Sequence, residues 1–213
     1  MHDTLMMKTV FRCCCLLYGV FSIRHFAAMA THKVGGQLTE SSLKQIWGIL
    51  LDMHHDVKPL DDQRLVVYCT ADLKTKKEAA SVWEKVKNLK HWLPTPEEID
   101  RLDLYSLPIA RELLLDLLRL CSTCSWYYMH DPERIVRDLI AMLHQGIEPA
   151  KAVNCILDRM YAYSRSDGFR KQATQLLTEI RATLPMIHLG GYSIQTFAGQ
   201  QLGDPLALLP DKR

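Results

Sequence analysis

The spacing of apolar residues along the chain predicts a mainly helical protein. Between Thr39 and Asp56, apolar side chains recur every three or four residues, which places them on one face of a helix. Six further helices are indicated by N-cap residues, by prolines at the first helical position or by amphipathic spacing. They begin near residues 75, 95, 108, 131, 149 and 167. We therefore expect about seven helices joined by short loops.

Strands have a minor part in this prediction. Residues 64–69 form a short segment rich in β-branched side chains, which is typical of a buried strand. Residues 186–197 carry Gly190 and Gly191 near their centre, which indicates a hairpin that turns on these two glycines. The predicted fold class is therefore mainly α, a compact multi-helix domain with a minor strand or hairpin element.

One predicted helix stands out as the centre of this domain. Over residues 109–128, the apolar side chains fill one half of the helical wheel and the charged side chains fill the other half. A helix with so wide an apolar face needs neighbours along its whole length. We therefore expect the other helices to assemble around it.

The first 38 residues differ from the rest and are predicted to be an N-terminal extension. Lys8 and Arg12 precede an apolar run at residues 13–23, and small residues follow, which is the outline of a secretory signal. The run is too short to span a bilayer, which needs about 20 apolar residues. Two alternatives are a translation start at Met29, with the upstream segment absent from the working protein, and a segment that associates with membranes. The candidate starts are Met1, Met7 and Met29.

The remaining chain is predicted to be a single helical domain at residues 39–197 followed by a flexible tail at residues 198–213. The charged fraction of 23% and the formal net charge of +2 exclude an acidic disordered tail and a polybasic nucleic-acid arm. Its few cysteines do not resemble the disulfide framework of a small secreted domain. The predicted location is cytoplasmic, with export through the signal-like N-terminus as the alternative.

Motifs that carry chemistry are scarce. The sequence holds no nucleophile elbow and no phosphate-binding glycine loop. Cys121 and Cys124 could present two thiolates to a metal, but with no second pair they are interpreted as small core residues. His54 and His55 are interpreted as a solvated helix end. The sequence therefore predicts no catalytic residue, cofactor or metal, and a protein that is not an enzyme.

A row of lysines beside a tryptophan is the first candidate binding surface. Lys76, Trp83, Lys87 and Lys90 fall within a narrow arc of the helix that begins at Thr75, and we call these four residues the Lys–Trp edge. Lysines beside an exposed indole suit an anionic or acidic partner. The alternative is a core tryptophan over which the lysine stems extend.

The second candidate is a helix-turn-helix-like segment at residues 135–163. An apolar helix, a glycine turn and a second helix follow one another there, and Lys151, Asn154 and Arg159 are the candidate DNA contacts. A tight helical hairpin has the same spacing, and the outward face offers few positive charges to phosphates.

The tail supplies a third candidate, since a short apolar group lies between two prolines and either folds back or docks into a partner. Its residues are Leu206, Leu208 and Leu209. By elimination, the sequence predicts a non-enzymatic regulatory or inhibitory protein that binds another protein. A plasmid-encoded modulator of conjugation or secretion, of the fertility-inhibition type, fits this description. The alternative is a helix-turn-helix DNA-binding regulator.

Overall fold

The structure is a computed structural model that describes residues 4–36, 38–102, 107, 109–123, 131–159 and 167–200. Within these ranges the chain forms ten α-helices, one short 3-10 helix and three strands, which confirms the mainly α prediction. The helices are α1 (Thr4–Tyr18), α2 (Ile23–Val34), α3 (Glu40–Met53), α4 (Lys76–Val86), α5 (Pro96–Arg101), α6 (Arg111–Thr123), α7 (Pro132–His144), α8 (Pro149–Arg159), α9 (Asp167–Thr183) and α10 (Ile194–Gln200). The strands are β1 (Val20–Ser22), β2 (Val57–Pro59) and β3 (Val66–Cys69), and the 3-10 helix is Ile187–Leu189.

The residues group into two units. Unit 1 comprises Met1–Asp103 and Ile187–Gly191, and unit 2 comprises Leu104–Met186 and Tyr192–Arg213. Among the described residues, no helix is both long enough and apolar enough to cross a membrane. The domain boundaries predicted from the sequence stay a prediction, because independent folding is a matter of stability in solution.

The seven predicted helices correspond to α3 through α9. Their starts agree with the capping residues, because Thr95 accepts the backbone N–H of Glu98 while the Glu98 carboxylate accepts the N–H of Thr95. The three further helices are α1 and α2, in the segment predicted to be an extension, and α10, in the segment predicted to be a hairpin.

The hairpin prediction at residues 186–197 is wrong. A 3-10 turn leads into Gly190 and Gly191, which have φ of +63° and +85°, and a helix follows instead of a strand. The reason is a helix N-cap that follows the two glycines. Ser193 and Thr196 each accept the other's backbone N–H, at 3.2 and 3.0 Å, and this reciprocal pair begins α10.

Unit 1 is built on a three-stranded antiparallel sheet with strand order β1-β3-β2. Val20 pairs with Tyr68 in the register of β1 and β3, and both side chains join an apolar cluster with Ala79 and Val86 of α4. The neighbouring Phe21 points to the opposite face, where its ring meets Phe11 edge to face at 5.5 Å. The sheet therefore carries helices on both faces.

The N-terminal segment supplies much of the core of unit 1. Phe11 lies at the centre of an aromatic cluster, with ring centroids 6.0 Å from Phe26 and 5.6 Å from Trp47. The segment's buried apolar side chains are Met7, Val10, Phe11, Cys13, Cys14, Leu17, Tyr18, Val20, Phe21, Phe26, Met29 and Ala30. In unit 1 these residues are integral to the packing rather than appended to it, and the position of the translation start stays a prediction.

Unit 2 is helical in the residues that the structure describes. Helix α9 packs against α6, α7, α8 and α10, so the central helix is α9 and not the predicted helix at residues 109–128. Only part of the apolar face of α6 is covered by described residues, since Leu117 and Cys121 are buried but Leu113 and Leu120 are half-buried. Helix α7 ends at His144 with Gln145 as its C-cap, and the predicted stop at Gly146 follows directly, in the left-handed conformation with a φ of +89°.

Candidate functional site

Lys76, Trp83 and Lys87 of the Lys–Trp edge lie on α4 of unit 1 or at its C-cap. Lys90 lies beyond the end of the helix at Val86, so the predicted helical arc through residue 90 is wrong for Lys90, because a turn ends the helix before it. Lys76, Lys87 and Lys90 are exposed, whereas Trp83 is half-buried and packs beside the apolar cluster that contains Val20 and Tyr68. The edge therefore combines both readings of the sequence, since the lysines face solvent while the indole is partly a core residue.

The charge around this edge is one-sided. Residues 74–90 contain six lysines and two glutamates. Both carboxylates are engaged, because Glu78 accepts the backbone N–H of Lys74 and Glu84 accepts the Nζ of Lys87 at 2.6 Å. Lys76 and Lys90 form no ion pair with any residue that the structure describes. The helix surface is thus strongly positive, and its positive charges are only partly compensated.

Behind Trp83 lies a pair of stacked histidines. The His25 ring is 5.8 Å from the Trp83 ring in an edge-to-face arrangement. On its other side, His25 stacks on His91 with centroids 3.8 Å apart and planes inclined by 28°. Tyr18 closes the cluster, 4.7 Å from His91, and its hydroxyl donates to the carbonyl of Trp92 at 2.6 Å. The exposed edge is therefore connected to a polar aromatic cluster inside unit 1.

Hydrogen bonds define the tautomer of each histidine. The backbone N–H of Ser22 donates to Nδ1 of His25 at 3.1 Å, so the proton of the neutral His25 ring is on Nε2. Nδ1 of His91 donates to the carbonyl of Leu89 at 3.1 Å, so Nε2 of His91 carries the lone pair. That nitrogen is buried and has no hydrogen-bond partner among the described residues.

Burial keeps both rings neutral. Desolvation, followed by the charges of His91 and Arg24, lowers the pKa of His25 to about 3. Desolvation also lowers the pKa of His91 to about 4, although its hydrogen bond to the Leu89 carbonyl acts in the opposite direction. Neither ring is an imidazolium near pH 7, and the remaining N–H proton of a neutral imidazole is too weakly acidic for general acid catalysis.

Two glycines allow the chain to approach this cluster. A Cβ on Gly190 would lie 3.5 Å from the His91 ring, and a Cβ on Gly191 would lie 3.1 Å from the Tyr18 ring. The carbonyl of Gly190 also accepts the backbone N–H of Trp92 at 3.0 Å. The glycine pair that resembled a hairpin turn in the sequence therefore covers Tyr18 and His91.

The candidate DNA-binding residues lie in unit 2. Helices α7 and α8 pack together around the turn at Gly146, and Lys151 and Asn154 are exposed on α8. The neighbouring Asp158 is exposed as well, and it offsets the charge of Lys151. Arg159 is the last residue of α8, and its side chain lies outside the described residues.

The remaining candidates divide between buried, half-buried and undescribed positions. Cys121 is buried, in agreement with a core role, but Cys124 lies outside the described residues.

His54 is half-buried with its ring 5.0 Å from that of Phe11, whereas His55 is exposed. No group of metal-ligating side chains occurs in the described part of the chain. The tail residues Leu206, Leu208 and Leu209 also lie outside it.

The sequence analysis missed Tyr18, His25 and His91. His91 is distant from Tyr18 and His25 in the sequence, and the fold alone brings its ring to theirs. One local signal existed, because Ser22 and His25 have the spacing of an N-cap residue and its N3 partner.

Comparison with protein-family models, with curated proteins and with solved structures finds no match for this chain. Its function is therefore inferred from the geometry and charge of the Lys–Trp edge, and from no relative.

Proposed function

We propose that this protein is a non-enzymatic regulatory protein that binds an acidic surface of another protein through the Lys–Trp edge. The observation that supports the proposal is the edge itself. Exposed Lys76 and Lys87 flank a half-buried Trp83 along α4, and exposed Lys90 follows shortly after the helix ends. Tryptophan is enriched among the residues that dominate binding energy at protein interfaces, and surrounding charges direct the encounter.

The rigidity of this surface favours recognition. Helix α4 begins at an N-cap, where Thr75 accepts the backbone N–H of Glu78 at 3.1 Å. Ala79 and Val86 of the same helix are fully buried against the sheet. The lysine stems therefore project from a fixed backbone, which lowers the entropy that is lost when a partner binds.

An acidic protein suits the edge better than nucleic acid does. Tight DNA binding draws on roughly six to ten phosphate contacts, whereas the edge offers three lysines, of which Lys87 is already paired with Glu84. The edge also offers a single half-buried indole, whereas single-stranded nucleic acid is bound by stacking successive bases on several aromatic side chains.

Matched charge reversals on α4 test this proposal. The variant Lys76→Glu/Lys90→Glu changes the edge, and Lys77→Glu/Lys85→Glu makes the same change of charge on other faces of the helix. Poly-glutamate and a DNA duplex are the two probes, each titrated at low and moderate salt. We expect poly-glutamate binding to fall about tenfold in the first variant and much less in the second. Equal losses in both variants would show that net charge alone attracts the probe.

DNA binding through α8 is the second candidate. It rests on the tight turn between α7 and α8 and on the exposure of Lys151 and Asn154. Salt-dependent binding of the duplex that is lost in Lys151→Glu but retained in Lys76→Glu/Lys90→Glu would favour it over the Lys–Trp edge.

A further inference from the structure

Helix α3 carries an apolar stripe that unit 1 does not cover. Exposed large apolar side chains are few among the described residues, and two of them, Ile49 and Met53, lie on this helix at 46% and 48% exposure. Half-buried Ser42 and Ile46 precede them on the same side of the helix. These four residues recur at intervals of four, three and four residues, and we call them the α3 seam.

The opposite face of α3 is anchored in the core of unit 1. Trp47 and Leu50 are buried, and the Trp47 ring lies 5.6 Å from that of Phe11 and 5.9 Å from that of Phe21. The Nε1–H of Trp47 also donates to the carbonyl of Arg64 at 2.8 Å. Rotation of the helix to bury the seam would break these contacts, so the seam stays on the outer side of unit 1.

The spacing of the seam is that of a coiled-coil interface. Alternating intervals of three and four residues define a and d positions, whose side chains pack against a second helix. The g positions beside the seam hold Gln45 and Asp52, and both side chains are exposed. A narrow seam of this kind, with a polar border, fits another helix of the same kind.

We propose that the α3 seam binds the α3 seam of a second copy of this chain, with the two helices antiparallel. In this register Ile49 of each copy packs against Ile46 of the other copy, as a and d positions do in antiparallel pairs. Met53 then lies over Ser42, so a large side chain meets a small one at each end. The same surface is used twice about a two-fold axis, which closes the assembly at two chains.

The charges beside the seam favour the antiparallel direction. In this register Lys44 of one copy lies level with Asp52 of the other. Their side chains are 64% and 73% exposed, and each forms an ion pair at the surface of its own chain, Lys44 with Glu40 and Asp52 with Arg64. Parallel helices would instead place Asp52 beside Asp52, and like charges that face each other across an interface repel.

The size of the seam determines the strength that we expect. Helix α3 has 14 residues, which corresponds to a length of about 21 Å. Two helices of this length bury less surface than the roughly 1,600 Å² of a standard protein interface. We therefore expect a reversible dimer whose population rises with protein concentration.

Sedimentation velocity of the full-length chain over a concentration series tests the dimer, under reducing conditions that exclude disulfide-linked chains. We expect the wild type to shift from monomer toward dimer as the concentration rises. Ile49→Asp places two carboxylates in the centre of the paired seams and should raise the dissociation constant by about tenfold or more. Leu115→Asp is the matched control, because Leu115 is exposed on α6 of unit 2, and it should leave the dissociation constant unchanged.

Carbodiimide coupling tests the register and needs no variant. Ordinary and heavy-isotope-labelled chains are mixed at a concentration where the dimer is populated. We expect an amide bond between Lys44 of one copy and Asp52 of the other, found in peptides that combine the two isotopes. A chain that stays monomeric at every concentration, with the seam open or covered by the tail or another protein, would overturn the proposal. So would a dimer that Ile49→Asp leaves intact, equal losses in Ile49→Asp and Leu115→Asp, or a cross-link confined to single chains.

Discussion

The cores of the two units are built from different kinds of side chain. Unit 2 buries aliphatic side chains along helices, as at Leu139, Leu143 and Leu177. Unit 1 buries rings instead, and it encloses polar groups such as His91 within them. A buried polar atom without a partner costs stability. Among the described residues each unit holds one, Nε2 of His91 in unit 1 and Nε of Arg181 in unit 2, so the two cores differ in the packing of rings and not in the presence of such an atom.

Removal of residues 1–28 should produce the largest difference in stability between the two units. The deletion corresponds to a start at Met29, and it takes Phe11, Tyr18 and Phe21 out of the core of unit 1. Each large apolar side chain contributes about 1.5–3 kcal/mol through burial, so the loss exceeds the stability of a typical domain. We expect the amides of unit 1 to lose protection from hydrogen exchange. A Met29 form with native protection across β3 and α4 would show that the N-terminal segment is dispensable.

Acid is expected to act selectively on unit 1 as well. The pKa of His25 is about 3 and that of His91 is about 4 in the folded chain, below the ordinary value of 6.5. The unfolded chain therefore binds more protons between pH 6.5 and 4, and the free energy of unfolding falls as the pH falls through this window. Each histidine contributes a slope of up to about 1.4 kcal/mol per pH unit.

The measurement is urea unfolding of unit 1 at several pH values, followed by Trp83 and Trp92 fluorescence. His91→Phe removes one titrating ring and should make the slope shallower between pH 6.5 and 4. A wild-type slope that equals the His91→Phe slope would contradict the burial of His91 as a neutral ring.

Substitutions at glycine compare the turns of the two units on a smaller scale. Gly191→Ala places a Cβ 3.1 Å from Tyr18 at a φ of +85°, so strain and crowding act together. Gly146→Ala in unit 2 meets the cost of a positive φ, +89°. We expect a loss of roughly 1–3 kcal/mol at Gly191 and roughly 1 kcal/mol at Gly146, measured by denaturant unfolding.

Gly48 is the matched control for these substitutions. It lies inside α3, and a Cβ there would meet nothing within 4 Å. Gly48→Ala should therefore stabilise the chain by roughly 0.5–1 kcal/mol. A larger loss at Gly146 than at Gly191 would mean that Tyr18 moves aside easily and that the His91 cluster is loosely packed.

The smallest effect on stability is expected at the Lys–Trp edge. Lys76 and Lys90 are exposed, and surface charges contribute little to folding. Lys76→Glu/Lys90→Glu should change the free energy of unfolding by less than about 0.5 kcal/mol. Thermal unfolding checks this value, and a larger loss would indicate that the lysines support the fold of unit 1.

Local chemistry explains which parts of the fold could be predicted. Helices α3, α4, α5 and α7 begin after Thr39, Thr75, Thr95 and Asp131, whose side chains accept nearby backbone N–H groups. Such caps are properties of a few adjacent residues, so the sequence displays them. The apolar run of α1 resembles a signal segment, because both are hydrophobic and the local pattern does not show whether the segment is buried in a core or removed.

The candidate site could be predicted only in part. The Lys–Trp edge follows from helical spacing, since Lys76, Trp83 and Lys87 lie on one arc of α4. The stacking of His25 on His91 depends on how α2 packs near the end of α4, which no local spacing encodes.

Affinity capture from native cells with matched variants tests directly whether the Lys–Trp edge binds another protein. The wild-type chain, Lys76→Glu/Lys90→Glu and Lys77→Glu/Lys85→Glu would be used as baits, each with and without nuclease. We expect the wild-type chain and Lys77→Glu/Lys85→Glu to retain one protein at near equal stoichiometry, with or without nuclease. We expect Lys76→Glu/Lys90→Glu to lose that protein. Retention of that protein by Lys76→Glu/Lys90→Glu, or retention that nuclease abolishes, would contradict the proposal.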